Sequence, residues 1–384
     1  MTVNDKALEN VYIIDNLGNK RRIKSVYIGV NGKAKKIADN ELTLSKVNKQ
    51  PTPLSQARGS LAATSIGDYA LFGGGIYGVY NGTDATYYSS SVVDAYDTSL
   101  VRTTPTPLSQ ARKDLAATSI GDYALFGGGH NTSTRVDLVD AYDTSLVRTT
   151  PTPLSQARDE FAATSIGNYA LFGGGGYTDS TRSRVVDAYD TSLVRTTPTP
   201  LSQARHQLSS TSVGNYALFG GGYTSSSSSV VDAYDTSLVR TTPTPLRYSK
   251  CRLAATSVGN YALFGGGYDE GVSDVVDAYD TSLVRTTPAP LSKARQYLAA
   301  TSIGDYGLFG GGFNTSSSTF YDVVDAYDTS LVRTTQTSLS QVRGVLAATS
   351  IGEYALFGGG YYFSYPNSYH RDTVDAYTLQ KILV

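Results

Sequence analysis

Six arginines, Arg58, Arg112, Arg158, Arg205, Arg295 and Arg343, occupy one place in a repeated frame, and Lys250 takes the same place in a seventh unit. Cations gathered this way suit a carboxylate ligand, a sialic acid or an acidic peptide, because guanidinium can hold carboxylate through two parallel hydrogen bonds. The competing use is structural: each cation pairs with an aspartate that recurs in the same units. Other groups able to do chemistry are few: His130, His206, His370, Cys251, Glu160 and Glu270. The three histidines fall in different repeats without ligand spacing, so no metal is expected. A single cysteine permits no intramolecular disulfide, and Cys251 reads as an incidental variant at a variable position rather than a nucleophile. A frame residue repeated seven times is poorly suited to a unique catalytic role. The glycine triplets end strands with no helix after them, so they are not phosphate loops. No cofactor and no enzymatic activity are expected.

These residues are positioned by a repeat. Gly-Gly-Gly begins at 73, 127, 173, 220, 265, 310 and 358, and each unit reads close to R-x-x-L-A-A-T-S-I-G-D-Y-A-L-F-G-G-G, a loop, then V-V-D-A-Y-D-T-S-L-V-R-T-T-P-T-P-L. Short β-prone runs (LAATSI, YALFG, VVDAY, LVRTT) are broken by Ser-Ile-Gly-Asp and Asp-Thr-Ser turns, which predicts four strands per unit, A to D. Such a unit cannot bury both faces alone, so neighbours must stack, and a ring of seven removes most exposed edges. The chain has 32 basic and 33 acidic residues, leaving no global field to attract nucleic acid or an anionic membrane. No run approaches a membrane span and the start lacks a signal-peptide core. Cytoplasmic synthesis without a signal peptide is therefore expected.

The Gly-Gly step closing strand B, the Tyr-Asp closing strand C and the Pro-x-x-x-x-Arg entry to strand A resemble kelch repeats. That resemblance covers residues 42–384 and implies an all-β, seven-bladed kelch-like β-propeller. The tryptophan usual after Tyr-Asp is missing, and the chain contains none, so blade packing must lean on valine, leucine and the repeated tyrosines. Copper oxidases of kelch type need paired histidines and a cysteine–tyrosine cross-link, and a sialidase needs an arginine triad with acid carboxylates; neither set is selected here. Residues 45–54, SKVNKQPTPL, align with the strand D segment, and the chain ends in YTLQKILV, a second possible strand D. The N-terminal one is favoured to close the ring. Residues 1–41 read as a small basic β-meander. Their segment KSVYIGVNGKAKKI is similar to short modules of phage tail and prophage structural proteins, which implies docking to virion structural proteins.

The repeats differ in one pattern. The distance from the strand C aspartate (94, 140, 187, 232, 277, 325) to the next glycine triplet is always 33, while the B–C loops have 16, 8, 9, 7, 7, 10 and 12 residues. The pair after the frame cation also varies, as Gly-Ser, Lys-Asp, Asp-Glu, His-Gln, Cys-Arg, Gln-Tyr and Gly-Val. In an up-and-down blade the D–A connection and the B–C loop emerge together, and the A–B and C–D turns emerge opposite. Both variable regions therefore share one face, a recognition surface on a rigid scaffold. Its tyrosines lie among Ser, Thr, Gly and Asn, the mixture used by paratopes. The residues expected to touch ligand are the seven frame cations, with Lys113, Asp114, His206, Gln207 and Tyr297 beside them. The loops are expected to add Tyr77, Tyr80, Tyr88, His130 and Tyr177. Tyr223, Tyr268, Tyr321, Tyr362 and Tyr365 complete the set. The expected function is non-enzymatic recognition of a cell-surface glycan or protein by a phage or prophage tail or adhesion component, with the virion as its destination. The alternatives are an intracellular bacterial protein-interaction scaffold and a sugar-processing propeller enzyme.

Overall fold

A computed structural model describes residues 12–14, 20–22, 25–30, 33–39, 42–48, 50–81, 84–178, 180–364 and 367–381. All regular structure among them is β. The chain divides into two compact units, Met1–Ser45 with Leu379–Val384, and Lys46–Thr378. In the first, Tyr12–Ile14 pairs with Lys20–Arg22, and Ser25–Val30 with Lys33–Asp39, both antiparallel. The docking role expected for residues 1–41 concerns side chains outside the described set.

The second unit is a seven-bladed β-propeller. In blade 1 strand A is Ala62–Ile66, B is Tyr69–Gly73, C is Val93–Asp97 and D is Arg102–Thr103, paired in that order. Blades 2 to 6 repeat this arrangement, and neighbouring A strands pack side by side around the axis. Strand D ends early because the prolines of the following T-P-x-P have no N–H to donate to the ladder. Blade 6 reads T-Q-T-S there, and its strand D runs on to Gln336. Blade 7 is bounded on its outer side by the segment that begins at Lys46, from ahead of blade 1. At this seam Val47 N–H donates to the Ala376 carbonyl (2.9 Å) and Lys46 Nζ meets Asp375 at 2.7 Å.

The hydrophobic cores lie between blades. Leu71 and Val93 of blade 1 pack against Phe126 and Tyr142 of blade 2, and Leu356 and Val374 of blade 7 against Phe72 and Tyr96 of blade 1, which closes the ring. The absent tryptophan is replaced by an edge-to-face pair in each blade, such as Phe72–Tyr96 with ring centroids 6.0 Å apart. The Tyr96 hydroxyl donates to the Thr52 carbonyl (2.7 Å), so its polar tip is satisfied in the interior. Burying each such ring stabilises the seam by about 1.5–3 kcal/mol. The first glycine of every triplet makes room for the next blade's phenylalanine: a Cβ on Gly73 would lie 2.7 Å from the Phe126 ring.

The constant face has its own folding reasons. In the C–D turn the Asp97 carboxylate accepts from Ser99 and Val101 N–H, while Leu100 adopts a left-handed φ of 61° and packs on the core. The A–B turn glycine Gly67 (φ 51°) faces Thr144 in the C–D turn of the next blade. Both turns are fixed by geometry, so their sameness alone says nothing about ligands.

Candidate functional site

The D–A connection builds the opposite face. Its frame cations are fully buried and paired with strand C aspartates: Arg58 with Asp94 at 2.8 Å, Arg112 with Asp140 at 2.7 Å, Arg158 with Asp187 at 2.7 Å and Arg205 with Asp232 at 2.8 Å. Lys250–Asp277 (3.1 Å), Arg295–Asp325 (2.9 Å) and Arg343–Asp375 (2.7 Å) complete the set. Each arginine also donates to the carbonyl of the strand B phenylalanine, as Arg205 does to Phe219 O at 3.0 Å. The anion site expected from this ring is corrected here. Enclosed and bonded to both the aspartate and the strand B carbonyl, these cations staple strand C to the entry of strand A and are too deeply buried to meet a ligand.

The next residue pairs its backbone with the first loop residue, as Gly59 does with Ile76 and His206 with Tyr223, so the two variable regions do share a face. The residue after that is left-handed in every blade. Ser60, Asp114, Glu160 and Gln207 have φ of 51–54°, and Arg252, Tyr297 and Val345 of 54–55°. Each donates its N–H to the carbonyl of its counterpart one blade back, from Asp114→Ser60 (3.1 Å) round to Ser60→Val345 (3.1 Å). Seven backbone hydrogen bonds thus form a closed hoop around the channel, and the hoop's side chains line a cavity of about 290 Å³. Holding a non-glycine residue left-handed costs about 1–2 kcal/mol. Glycine would avoid that cost, yet it stands at none of the seven positions.

The hoop has two halves. On one side Lys113 Nζ meets Asp114 at 2.6 Å, Glu160 accepts from Gln207 (3.0 Å) and bonds His206 Nδ1 (2.6 Å), and Arg252 donates to Gln207 (3.1 Å) beneath the Tyr297 ring. Burial opposes the Glu160 charge, but the bonds from His206 and Gln207, with Arg252 nearby, outweigh it and hold its carboxyl below the usual range. The other half is aromatic. Blade 1 adds the hairpin Ile76–Asn81/Asp84–Ser89, blade 6 adds Phe313–Asn314/Thr319–Phe320, and blade 7 adds Tyr361–Ser364/Asn367–His370. They enclose a hollow of about 480 Å³ walled by Phe313, Phe320, Tyr361, His370 and Tyr87, with Val345, Tyr297 and Ser60 of the hoop alongside.

The remaining expected residues scatter around these halves. Tyr77 and Tyr88 face each other across the blade 1 hairpin (5.7 Å), and Tyr362 stacks on Tyr369 under Arg371. Tyr223 and Tyr268 begin their loops against His206 and Cys251, and His130 pairs with Lys113. Tyr321 donates its N–H to Gly312 O (2.9 Å), and Tyr177 is exposed on the blade 3 loop. Tyr365 and the Tyr80 side chain lie outside the described residues. The aromatic hollow went unpredicted, although a signal existed: of the four phenylalanines outside the strand B frame, Phe313, Phe320 and Phe363 all fall in the loops of blades 6 and 7. Cys251 is buried, and burial pushes its thiol pKa up, which suits it poorly to attack. No group of three or more potential metal ligands occurs among the described residues.

His370 lies against Tyr361 (6.0 Å) and Tyr87 (5.9 Å), and burial lowers its pKa from the usual 6.5 to about 4. The unfolded chain therefore takes up a proton that the folded chain refuses between these values. Stability is full above pH 6.5 and falls as the pH drops toward about 4. Urea midpoints at pH 7 and pH 5 should differ less in His370→Gln than in the parent.

A closed seven-bladed β-propeller with one face built of unequal hairpins around a strained hoop is the class of protein that this fold and site define. The solved structure of YjhT superposes with a TM-score of 0.56 at 12% identity, covering 75% of this chain and 99% of that one. At that identity the likeness establishes the fold alone. No protein-family model matches the sequence, and no match was found among curated proteins.

Proposed function

We propose that this chain is a non-enzymatic recognition protein of kelch type whose hairpin-bearing face binds a cell-surface glycan or protein. The observation that carries the reading is the hoop. Seven left-handed positions exclude the residue that would cost least and instead display Ser, Asp, Glu, Gln, Arg, Tyr and Val around the channel. The left-handed leucines of the constant face pack half-buried against the hydrophobic core, whereas the hoop residues, equally half-buried, are mostly polar and line the channel mouth instead. Strain retained at an accessible site is a feature of functional surfaces. The resemblance of residues 1–41 to tail modules favours a phage or prophage tail or adhesion setting, with that segment as the attachment.

The test exchanges the loops 76–91 and 361–372 for the short loop 223–229 and compares binding to an array of bacterial surface glycans and to intact bacteria. Binding should be lost or change its target while the far-UV spectrum stays that of the parent. An unchanged binding profile would remove the recognition face.

A further inference from the structure

The hollow between the hairpins of blades 6, 7 and 1 differs from the rest of the face in its chemistry. Phe313 and Phe320 sit with ring centroids 4.4 Å apart, and Phe320 meets Tyr361 at 6.0 Å. Among the described residues, no side-chain carboxylate, amide or guanidinium lines it. The one charged group among those residues, Lys113, is already held by Asp114 at 2.6 Å, and His370 is uncharged at neutral pH. A sugar carries a hydroxyl on most of its carbons and needs directional partners for them; here only tyrosine hydroxyls, Ser60 and edge nitrogens are on offer. A cationic ligand would meet the Lys113 ammonium. What fits is an uncharged, flat, apolar group, and the volume lies within the range of small-ligand sites, about 300–1,000 Å³.

The surroundings indicate how that group is delivered. Strand Asn367–His370 of blade 7 lies against Ile76–Asn81 of blade 1. These two hairpins carry an apron of exposed apolar side chains, Val79 (51%), Tyr87 (40%), Tyr88 (43%), Phe363 (46%) and Tyr369 (41%). A deep aromatic pocket inside an exposed apolar apron, bordered on the far side by the charged half of the hoop, is the pattern of a protein interface with an anchoring residue. We propose that the hollow is an anchor pocket for an uncharged aromatic side chain, tryptophan or tyrosine, presented by a protein partner. The inference rests on the recognition role proposed above and selects protein over glycan for this part of the face.

The absence of tryptophan from the chain makes the test direct. N-acetyl-tryptophanamide, excited where tyrosine is silent, is titrated with the full-length protein. Its emission should shift to the blue and saturate, with Kd on the order of a millimolar or tighter. Tyr87→Ala and Phe363→Ala, both at exposed positions where the fold does not depend on them, should together weaken binding by about tenfold or more. Val239→Ala, exposed on the constant face, should leave it unchanged, and methyl glucoside should not compete. No saturable binding by the parent, undiminished binding by the double variant, or displacement by the glucoside each overturns the pocket assignment. The two readings fail separately. Target binding that survives Tyr87→Ala/Phe363→Ala but not the loop exchange removes the pocket and keeps the recognition face. Probe binding by the parent with no effect of loop exchange on targets does the reverse.

Discussion

Arg205→Ala should destabilise the propeller by about 3–5 kcal/mol, read as a lowered urea midpoint, because it removes the nearer and only fully buried counter-charge of a buried carboxylate. Asp232 is fully buried, and Arg205 is its 2.8 Å partner. The Ser202 N–H (3.1 Å) and the partly exposed Arg240 (3.3 Å) that remain are longer contacts on the other carboxylate oxygen and leave Oδ2 without its 2.8 Å partner. Arg205→Lys should cost much less. Blade 5 already uses a lysine there, with Lys250 Nζ 3.1 Å from both Asp277 and the Val275 carbonyl. Arg205→Met with Asp232→Leu should recover part of the loss, since removing both charges also removes the cost of burying them. Probe binding in the blade 6–7–1 hollow should be unaffected in the folded fraction. An Arg205→Ala loss below about 1 kcal/mol, the range of surface pairs, would mean that the cation is not a staple.

Gly311→Ala is expected to have the second large effect. Gly311 is left-handed (φ 66°), and a Cβ there would stand 2.6 Å from the Arg343 carbonyl oxygen of the next blade and 3.1 Å from Leu346. The obstruction is backbone, so no rotamer relieves it. That same carbonyl also accepts the Gly312 N–H (2.9 Å), so moving it breaks a bond across the seam. Left-handed strain and overpacking together give about 2–5 kcal/mol. Gly271→Ala is the matched comparison, because a Cβ there meets nothing within 4 Å, and it should stay within about 1 kcal/mol of the parent. Equal effects at the two positions would remove the close-approach explanation for the glycine triplets.

Much of this architecture is legible in the residues because its causes are local. The alternating runs and Asp-Thr-Ser turns mark the strands, and the constant 33-residue interval places all length variation in one loop. Even the longer strand D of blade 6 follows from one local exchange, glutamine where the other blades have proline. The arginines were harder to read. Their sequence positions fit both an open ring and a set of internal pairs, and the distances to the aspartates separate the two.

The repeat alone determined that the chain is built of four-stranded units and that its differences gather on one face, since strand periodicity and turn chemistry act over a few residues. Tertiary structure alone decided which differences meet. Ring closure sets His370 beside Tyr87 although nearly the whole propeller separates them in sequence. It also sets the second residue after each frame cation in the left-handed region, where its N–H reaches the carbonyl of its counterpart in the blade before. Neither consequence can be written in a local pattern, because both depend on how seven units share one axis.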